Sequence, residues 1–500
     1  MLYQSTRDKN MVVRSAEAIK LGISPDGGLF VPQEKIRLSP ASIVKLSGMN
    51  YCSRAVEILK LFLTDFTIDE LRECVSKAYN KDKFETDSIA PVYKLNDQVY
   101  FLELWHGPTC AFKDMALQIL PHLLTKSLSK TGEDKEVVIL VATSGDTGKA
   151  ALEGFKNVAG TRILVFYPDN GVSEIQKLQM ITQEGENVGV CAVEGNFDDA
   201  QNGVKAIFTD AEYEKLLEKH NFRLSSANSI NWGRLVPQII YYFSAYCDLI
   251  KNEELTLEEK VNIVVPTGNF GNILAAYYAK EMGLPVNRLI CASNENNVLT
   301  DFIRTGVYDR NRVFKTTLSP SMDILISSNL ERLLFDITGR DDVRVKQWMQ
   351  ELKEKGRYEI PDITKQKLKD LFWAGYCDDE ATMQTIKETE ADYSYVIDTH
   401  TAVAKNVYDQ YVKETGDYSK TIIASTASPF KFNHSVMTAL VGPEEVEDKS
   451  EFQLLEMLAE KSGVRIPRAL AELQGKPVLH NLKCKKEEMQ QVVSNMLGIS

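Results

Sequence analysis

The stretch WHGPTCAFKD, residues 105–114, holds a lysine that local rules disfavour. If a helix begins at Thr109, Lys113 falls in its first turn, where the helix dipole opposes positive charge. Ala116, Leu117 and Leu120 follow at helical spacing, so Lys113 also lies on the apolar stripe of that helix. One reading is a long stem that snorkels to solvent. The other is chemical: a desolvated lysine is partly the neutral amine, which can attack an aldehyde and form a Schiff base.

Two glycine-bearing turns offer anion sites. In ATSGDTGKAA, from Ala142, a turn between an apolar run and an Ala-rich stretch gathers backbone N–H groups at the positive end of a helix dipole. The hydroxyls of Thr143, Ser144 and Thr147 beside Gly145 and Asp146 point to a carboxylate or phosphate, although a tight turn alone would also explain the glycines. It is no P-loop, because Gly145 and Gly148 are too close and Ala150 follows Lys149 where Ser or Thr is needed. In PTGNFGN, Pro266 to Asn272, Gly268 and Gly271 permit positive φ and close approach, and Asn269 and Asn272 add side-chain donors. With no Lys or Arg in that loop, a phosphate there would be neutralised mainly by backbone dipoles. An aldehyde for the lysine and a phosphate for a helix N-terminus occur together in pyridoxal phosphate.

The elements that must position these residues repeat one pattern: an apolar run rich in Val and Ile, a small-residue turn, then an Ala-rich stretch. It occurs from Glu136, from Asn262 and, with a less complete helix, from Thr421. Repeated strand, turn and helix indicate buried parallel strands in an α/β architecture, with sites at the carboxyl ends of the strands. RILVFYP from Arg162 and NVGVCAVEG from Asn187 add strand candidates. The expected organisation is a mainly helical N-terminal domain (1–95), a large α/β domain (96–132 and 225–440), a small α/β domain (133–224) and a helical tail (441–500).

The 500 residues, 44% of them hydrophobic, suffice for several cores. Lys and Arg number 58 against 70 Asp and Glu, a net charge of −12 without a long basic block, which speaks against nucleic acid or anionic membrane as partner. Eight scattered cysteines with no CxxC pair read as reduced thiols rather than disulfides or metal ligands. No secretory signal and no apolar run of membrane-spanning length is visible, so a cytoplasmic location is expected.

HGPTCAFKD resembles the Schiff-base motif of threonine synthases, within the pyridoxal-phosphate enzymes of the tryptophan synthase β-subunit fold, fold type II. YQSTRD, GISPDGGLFVP, ATSGDTG, NSINWGRLVPQ, PTGNFGN and ASTASPFKF resemble family motifs in the family's order, from Tyr3 to about Phe432. The resemblance implies Lys113 as the Schiff-base lysine with Phe112 beside the cofactor. It also implies Gly268, Asn269, Phe270, Gly271 and Asn272 as the cofactor-phosphate loop, and Thr426 as the hydroxyl partner of the pyridine nitrogen. Thr143, Ser144, Gly145, Asp146 and Thr147 then resemble the substrate-carboxylate loop, and Asn228, Ser229, Asn231 and Arg234 a polar cluster near a substrate phosphate, where Arg234 supplies a forked charged donor.

The implied activity is conversion of O-phospho-L-homoserine and water to L-threonine and phosphate, the last step of threonine biosynthesis, by a monomer or homodimer, with Lys113 acting as nucleophile, base and acid by turns. A dehydratase or phospholyase of the same fold, or a non-catalytic pyridoxal-phosphate carrier, are the rivals. Ser428 stands where family members often have His. His400 fits a family His but reads as a buried structural residue, and Asp114 as a first-turn charge satisfying the dipole.

Overall fold

A computed structural model describes residues 1–143, 145–169 and 172–499. The first strands, β1 (Leu2–Ser5), β2 (Val12–Arg14) and β3 (Phe30–Pro32), form an antiparallel sheet in the order β2–β1–β3. Helices follow at Tyr51–Phe62 and Ile68–Ala78, the latter opened by a capping box in which Thr67 and Glu70 satisfy each other's backbone N–H. The region is mainly helical, as its pattern predicts. The small sheet departs from that reading, because strands of three or four residues are too short to show an alternation.

Next come β4 (Val92–Lys94) and β5 (Val99–Glu103). The small α/β unit holds β6 (Glu136–Ala142), β7 (Thr161–Pro168), β8 (Val188–Val193) and β9 (Phe222–Ser225). The chain then returns through β10 (Val261–Pro266), β11 (Val286–Ser293), the antiparallel pair β12 (Val307–Asp309) and β13 (Arg357–Glu359), then β14 (Phe372–Tyr376) and β15 (Thr421–Ser425). The larger sheet has six strands in the order β14–β11–β10–β15–β5–β4, parallel except for β4 at its edge. Strands buried on both faces by flanking helices need no polar alternation, which is why these segments read as continuous apolar runs.

The helix Trp232–Lys251 is buried along nearly its whole length and packs against Tyr51–Phe62, Gly271–Glu281 and the short helix Asp114–Leu117. It carries Arg234 in its first turn and joins the N-terminal region to both cofactor-loop and lysine segments. A helix apolar on every side has no solvent face to offer, so it becomes the spine of the large unit.

The segment after residue 441 is more than a helical tail. Glu451–Ser462 packs on Asn433–Val441, and Arg468 donates to Asp82 O at 2.7 Å. The backbone N–H groups of Leu479 and His480 then donate to Ile181 O, and β16 (Leu482–Cys484) adds in parallel to β8, making a five-stranded parallel sheet in the order β16–β8–β7–β6–β9. A strand there fills the edge that β8 would otherwise expose. Cys191 and Cys484, both buried free thiols, face each other across this pair at 3.5 Å. No helix among the described residues is long and apolar enough to cross a membrane.

The helix Asp146–Phe155 meets the Lys113 segment at Gly154, where a Cβ would lie 2.1 Å from Leu117 O. Only a residue without a side chain allows this approach. Gly154→Ala is expected to lower stability by about 1–3 kcal/mol, the range for overpacking, read as a lowered urea midpoint at unchanged slope.

Candidate active site

Lys113 does not lie inside a helix. Asp114 accepts from the backbone N–H and hydroxyl of Thr109, both at 2.8 Å, and Cys110 takes φ 58°, so residues 109–113 form a tight loop and the helix runs only from Asp114 to Leu117. The expectation of a helix from Thr109 is therefore corrected; Asp114 does stand in the first turn of the helix, and its carboxylate also closes the loop. Lys113 is nonetheless turned inward, its side chain 11% exposed.

The amine meets a carboxylate from the small unit. Lys113 Nζ lies 3.5 Å from Asp146 Oδ2 and donates at 3.0 Å to Ser321 Oγ, which itself donates to Asp146 Oδ2 at 3.0 Å. On the other oxygen, Oδ1, Gln176 Nε2 donates at 2.8 Å and Lys431 Nζ stands at 2.9 Å. Burial pulls the Lys113 ammonium below its ordinary value; Asp146 opposes this, and the positive charges of Lys431 and Arg234 add to it. Burial works against the Asp146 charge, but Lys431 and Lys113 outweigh it and hold the carboxyl far below the usual range.

Asp146 is the first residue of its helix, following Gly145 at φ 142°, where a Cβ would sit 2.5 Å from the Gln176 side chain. The Asp146 side chain is taken up by its lysine, serine and glutamine partners, so what the residue could offer a substrate carboxylate is its backbone N–H at the helix start. Thr143 also spends its hydroxyl locally, accepting from Gly145 N at 3.0 Å and Gly148 N at 2.9 Å. Thr147 is half-buried at the helix start, and Ser144 lies outside the described residues. What the turn retains for an anion is its helix N-terminus.

The loop after β10 opens the helix Gly271–Glu281. Positive φ falls at Phe270, at 65°, and not at either glycine, which corrects that part of the sequence argument. Gly268 is required by close approach instead, since a Cβ there would lie 2.8 Å from Ser321 O. A Cβ at Gly271 would meet only ordinary contacts. Asn269 is exposed, and its carbonyl accepts from Asn329 N and Nδ2, both at 3.1 Å. Asn272 Oδ1 accepts from Tyr241 OH at 2.7 Å and from Tyr242 OH, while Nδ2 is buried without a partner. An orphaned donor in the first turn of a helix is what a phosphate oxygen would satisfy.

Thr426 ends the strand β15 segment beside the lysine, its carbonyl accepting from Phe112 N at 2.8 Å. The Phe112 ring lies 5.1 Å from Lys113 Nζ. A buried amine at Lys113 and an anion-ready helix start at Asn272 fit the aldehyde and the phosphate of pyridoxal phosphate, with Thr426 beside the lysine segment. Among the described residues no cluster of His, Cys, Asp and Glu could hold a metal.

Arg234 is 4% exposed, donates from Nη1 to Ala227 O at 2.8 Å, and keeps a buried Nε without a partner. Burial pushes its guanidinium down to about 10, and among the described residues it has no carboxylate partner. A buried cation in this state calls for an anion. Ser229 Oγ, nearby in sequence, accepts from Asn329 Nδ2 at 3.3 Å and donates to the exposed Asn228 at 3.3 Å. Asn231 caps the helix: its Oδ1 accepts from Gly233 N and its Nδ2 donates to Ile19 O, which fixes the start of the helix that carries Arg234.

Sequence reasoning missed Ser321, Gln176, Asn329 and Lys431. Lys431 carried a signal in PFKF, a cation between aromatic residues. Ser321 carried none. His400 is tied to the site: its Nε2 accepts from Ser321 N at 3.2 Å and its Nδ1 donates to Asp398 at 2.9 Å, so the imidazole fixes the loop that meets Lys113. Ser428 caps the short turn Pro429–Phe432 by accepting from Phe430 N.

The family profile described as threonine synthase N terminus matches residues 2–79, and that described as pyridoxal-phosphate dependent enzyme matches residues 85–425. Threonine synthase-like 1 of Macaca fascicularis is 41% identical over 449 residues, 88% of this chain and 59% of that protein. The chain thus spans less than two thirds of that relative's length. Threonine synthase of Pseudomonas aeruginosa is 39% identical, covering 88% of this chain and 91% of its own. The crystal structure of pyridoxal-phosphate-bound threonine synthase from Brucella melitensis superposes with a TM-score of 0.88 at 34% identity, covering 99% of each chain.

Asp114 yields a prediction about pH. Burial pushes its carboxyl from 3.8 up to about 6. A raised folded value means that the folded state holds the proton longer, so the stability it contributes is full below about pH 4 and is lost as pH rises to about 6. The Tm of the wild type should therefore fall relative to Asp114→Asn between pH 4 and 6 and run parallel to it above pH 7.

Proposed function

The chain belongs to the threonine synthases among the pyridoxal-phosphate-dependent enzymes, and on that premise we propose that it converts O-phospho-L-homoserine and water to L-threonine and phosphate. The observation that carries the choice of substrate is Arg234: a buried guanidinium with an open N–H and, among the described residues, no acid partner suits an anionic group of the substrate. Ser229 lies at the start of the same helix and adds a hydroxyl.

Pyridoxal phosphate held between Lys113, Thr426 and the Asn272 helix start supplies an aldehyde for the amine and a ring that draws electron density from the substrate's α carbon. The chain's residues do the rest. Lys113 binds the cofactor and, once released, is the amine placed to take the α proton and to carry protons to and from the neighbouring carbons. Its lowered basicity keeps a useful fraction neutral. Asp146 and Ser321 hold Nζ in place while it does so. The helix N-terminus that follows Gly145 would receive the substrate's carboxylate, and Asn272 Nδ2 would donate to the cofactor's phosphate. Thr426 would offer the ring's nitrogen a neutral hydroxyl in place of an acid. The eight free cysteines fit a reducing compartment, and the reading places the enzyme in the cytoplasm.

The test is phosphate release from O-phosphohomoserine by the cofactor-loaded protein, with the organic product identified in the same tube. Threonine in step with phosphate is expected; 2-oxobutyrate would convert the reading to a phospholyase, and neither product would overturn it. Lys113→Ala should abolish turnover and borohydride-stable attachment of the cofactor while the protein stays folded. Arg234→Ala should raise KM for the phosphorylated substrate by about tenfold or more, the value of a lost charged hydrogen bond, with a smaller change in kcat.

A further inference from the structure

We propose that Lys431 is a positioning residue that, by neutralising Asp146, keeps the Lys113 nitrogen ready to give up its charge. Lys431 has a fully buried side chain whose nitrogen, among the described residues, meets Asp146 Oδ1 at 2.9 Å and Thr109 O at 2.8 Å. Lys113 stands farther away, 3.5 Å from the opposite oxygen of the same carboxylate. Two lysines thus share one anion, and the tighter pairing belongs to the lysine that has no chemistry to perform.

A buried ion pair is a poor way to gain stability, because apolar side chains of similar size would hold the same segments together as well or better. What this pair does that apolar residues could not is set the field at Lys113. Without Lys431, an unbalanced carboxylate beside Nζ would hold it as ammonium, which is neither nucleophile nor base. With Lys431, the amine faces a pair that is nearly neutral. The other groups facing Lys113 are consistent with this. Arg234, from the Trp232 helix, is a like charge. Ser321 is neutral, and His400 with Asp398 lies behind it. The carboxylate of Asp114 is turned to Thr109. Asp146 is therefore the anion that Lys113 meets directly, and Lys431 is its counter-charge.

The inference rests on Lys113 being the cofactor lysine, and its test separates the two. In the purified holoenzyme, the visible absorbance of the bound cofactor reports whether the nitrogen contributed by Lys113 is protonated, and its pH midpoint is the readout. Lys431→Met should raise the midpoint by about one pH unit, the tenfold change expected of one charge removed at short range. Lys431→Arg should leave it near the wild-type value. Asp146→Asn should lower it, and because Lys431 acts through Asp146, adding Lys431→Met to Asp146→Asn should move the midpoint much less than Lys431→Met does alone. A midpoint unmoved in Lys431→Met overturns the inference, as does a shift of the same size with and without Asp146; Lys431→Gln serves for both comparisons if Lys431→Met does not fold. A merely structural role would lower Tm and leave the midpoint unchanged, which also overturns it. If the band persists in Lys113→Ala, the cofactor-lysine reading fails and this inference with it.

Discussion

The carboxylate of Asp146 sits in the first turn of a buried helix, receives two lysines, a serine and a glutamine, and by doing so brings five stretches of chain to one point, Gln176 among them from the helix after β7. Lys113 follows β5, Asp146 follows β6, Lys431 follows β15, and Ser321 comes from the connection between β12 and β13. Three of these lie beyond the carboxyl ends of parallel strands, where α/β sheets leave their crevices. Because each partner is charged or polar and the site is buried, displacing one leaves an unsatisfied group, and the penalty for that exceeds what a surface pair would show. The docking of the small unit on the large one is thereby tied to the same contacts that position the amine.

Around this point the parts divide the labour. The Trp232 helix fixes Arg234, the Gly271 helix fixes Asn272, and neither can move without disturbing a core that includes the N-terminal helices. The loop bearing Ser321 is held differently, by His400 through a backbone N–H and by the close approach of its carbonyl to Gly268. A rigid binding frame and a separately anchored loop over the lysine let substrate recognition and control of the amine be set by different residues.

The strands were legible in the sequence because buried parallel strands are long apolar runs, and the inward-facing Lys113 was legible because a cation there contradicts its surroundings. The helix expected from Thr109 was not, since the periodicity of MALQIL extends backward only if nothing interrupts it, and the Asp114–Thr109 contact does. Asn231 shows the reverse difficulty: its type suits a ligand and a helix cap equally, and only the Ile19 and Gly233 contacts decide. Ser321 was invisible because a serine in an irregular connection has no pattern to break. The β16 strand escaped notice for the same reason as the N-terminal sheet, being three residues long.

That last strand has a consequence for how the protein comes into being. Cys191 on β8 and Cys484 on β16 are 293 positions apart, yet they are neighbours in one sheet. Chains are synthesised from the N-terminus and their domains tend to fold as they emerge, so β6 to β9 can assemble long before β16 exists. Through the making of everything between, the edge of β8 stays an open row of backbone donors and acceptors, the kind of edge that recruits foreign strands. Completion of the sheet is thus a late event that only a nearly finished chain can perform, and a stalled or shortened product would carry an unfilled edge that distinguishes it from the mature protein.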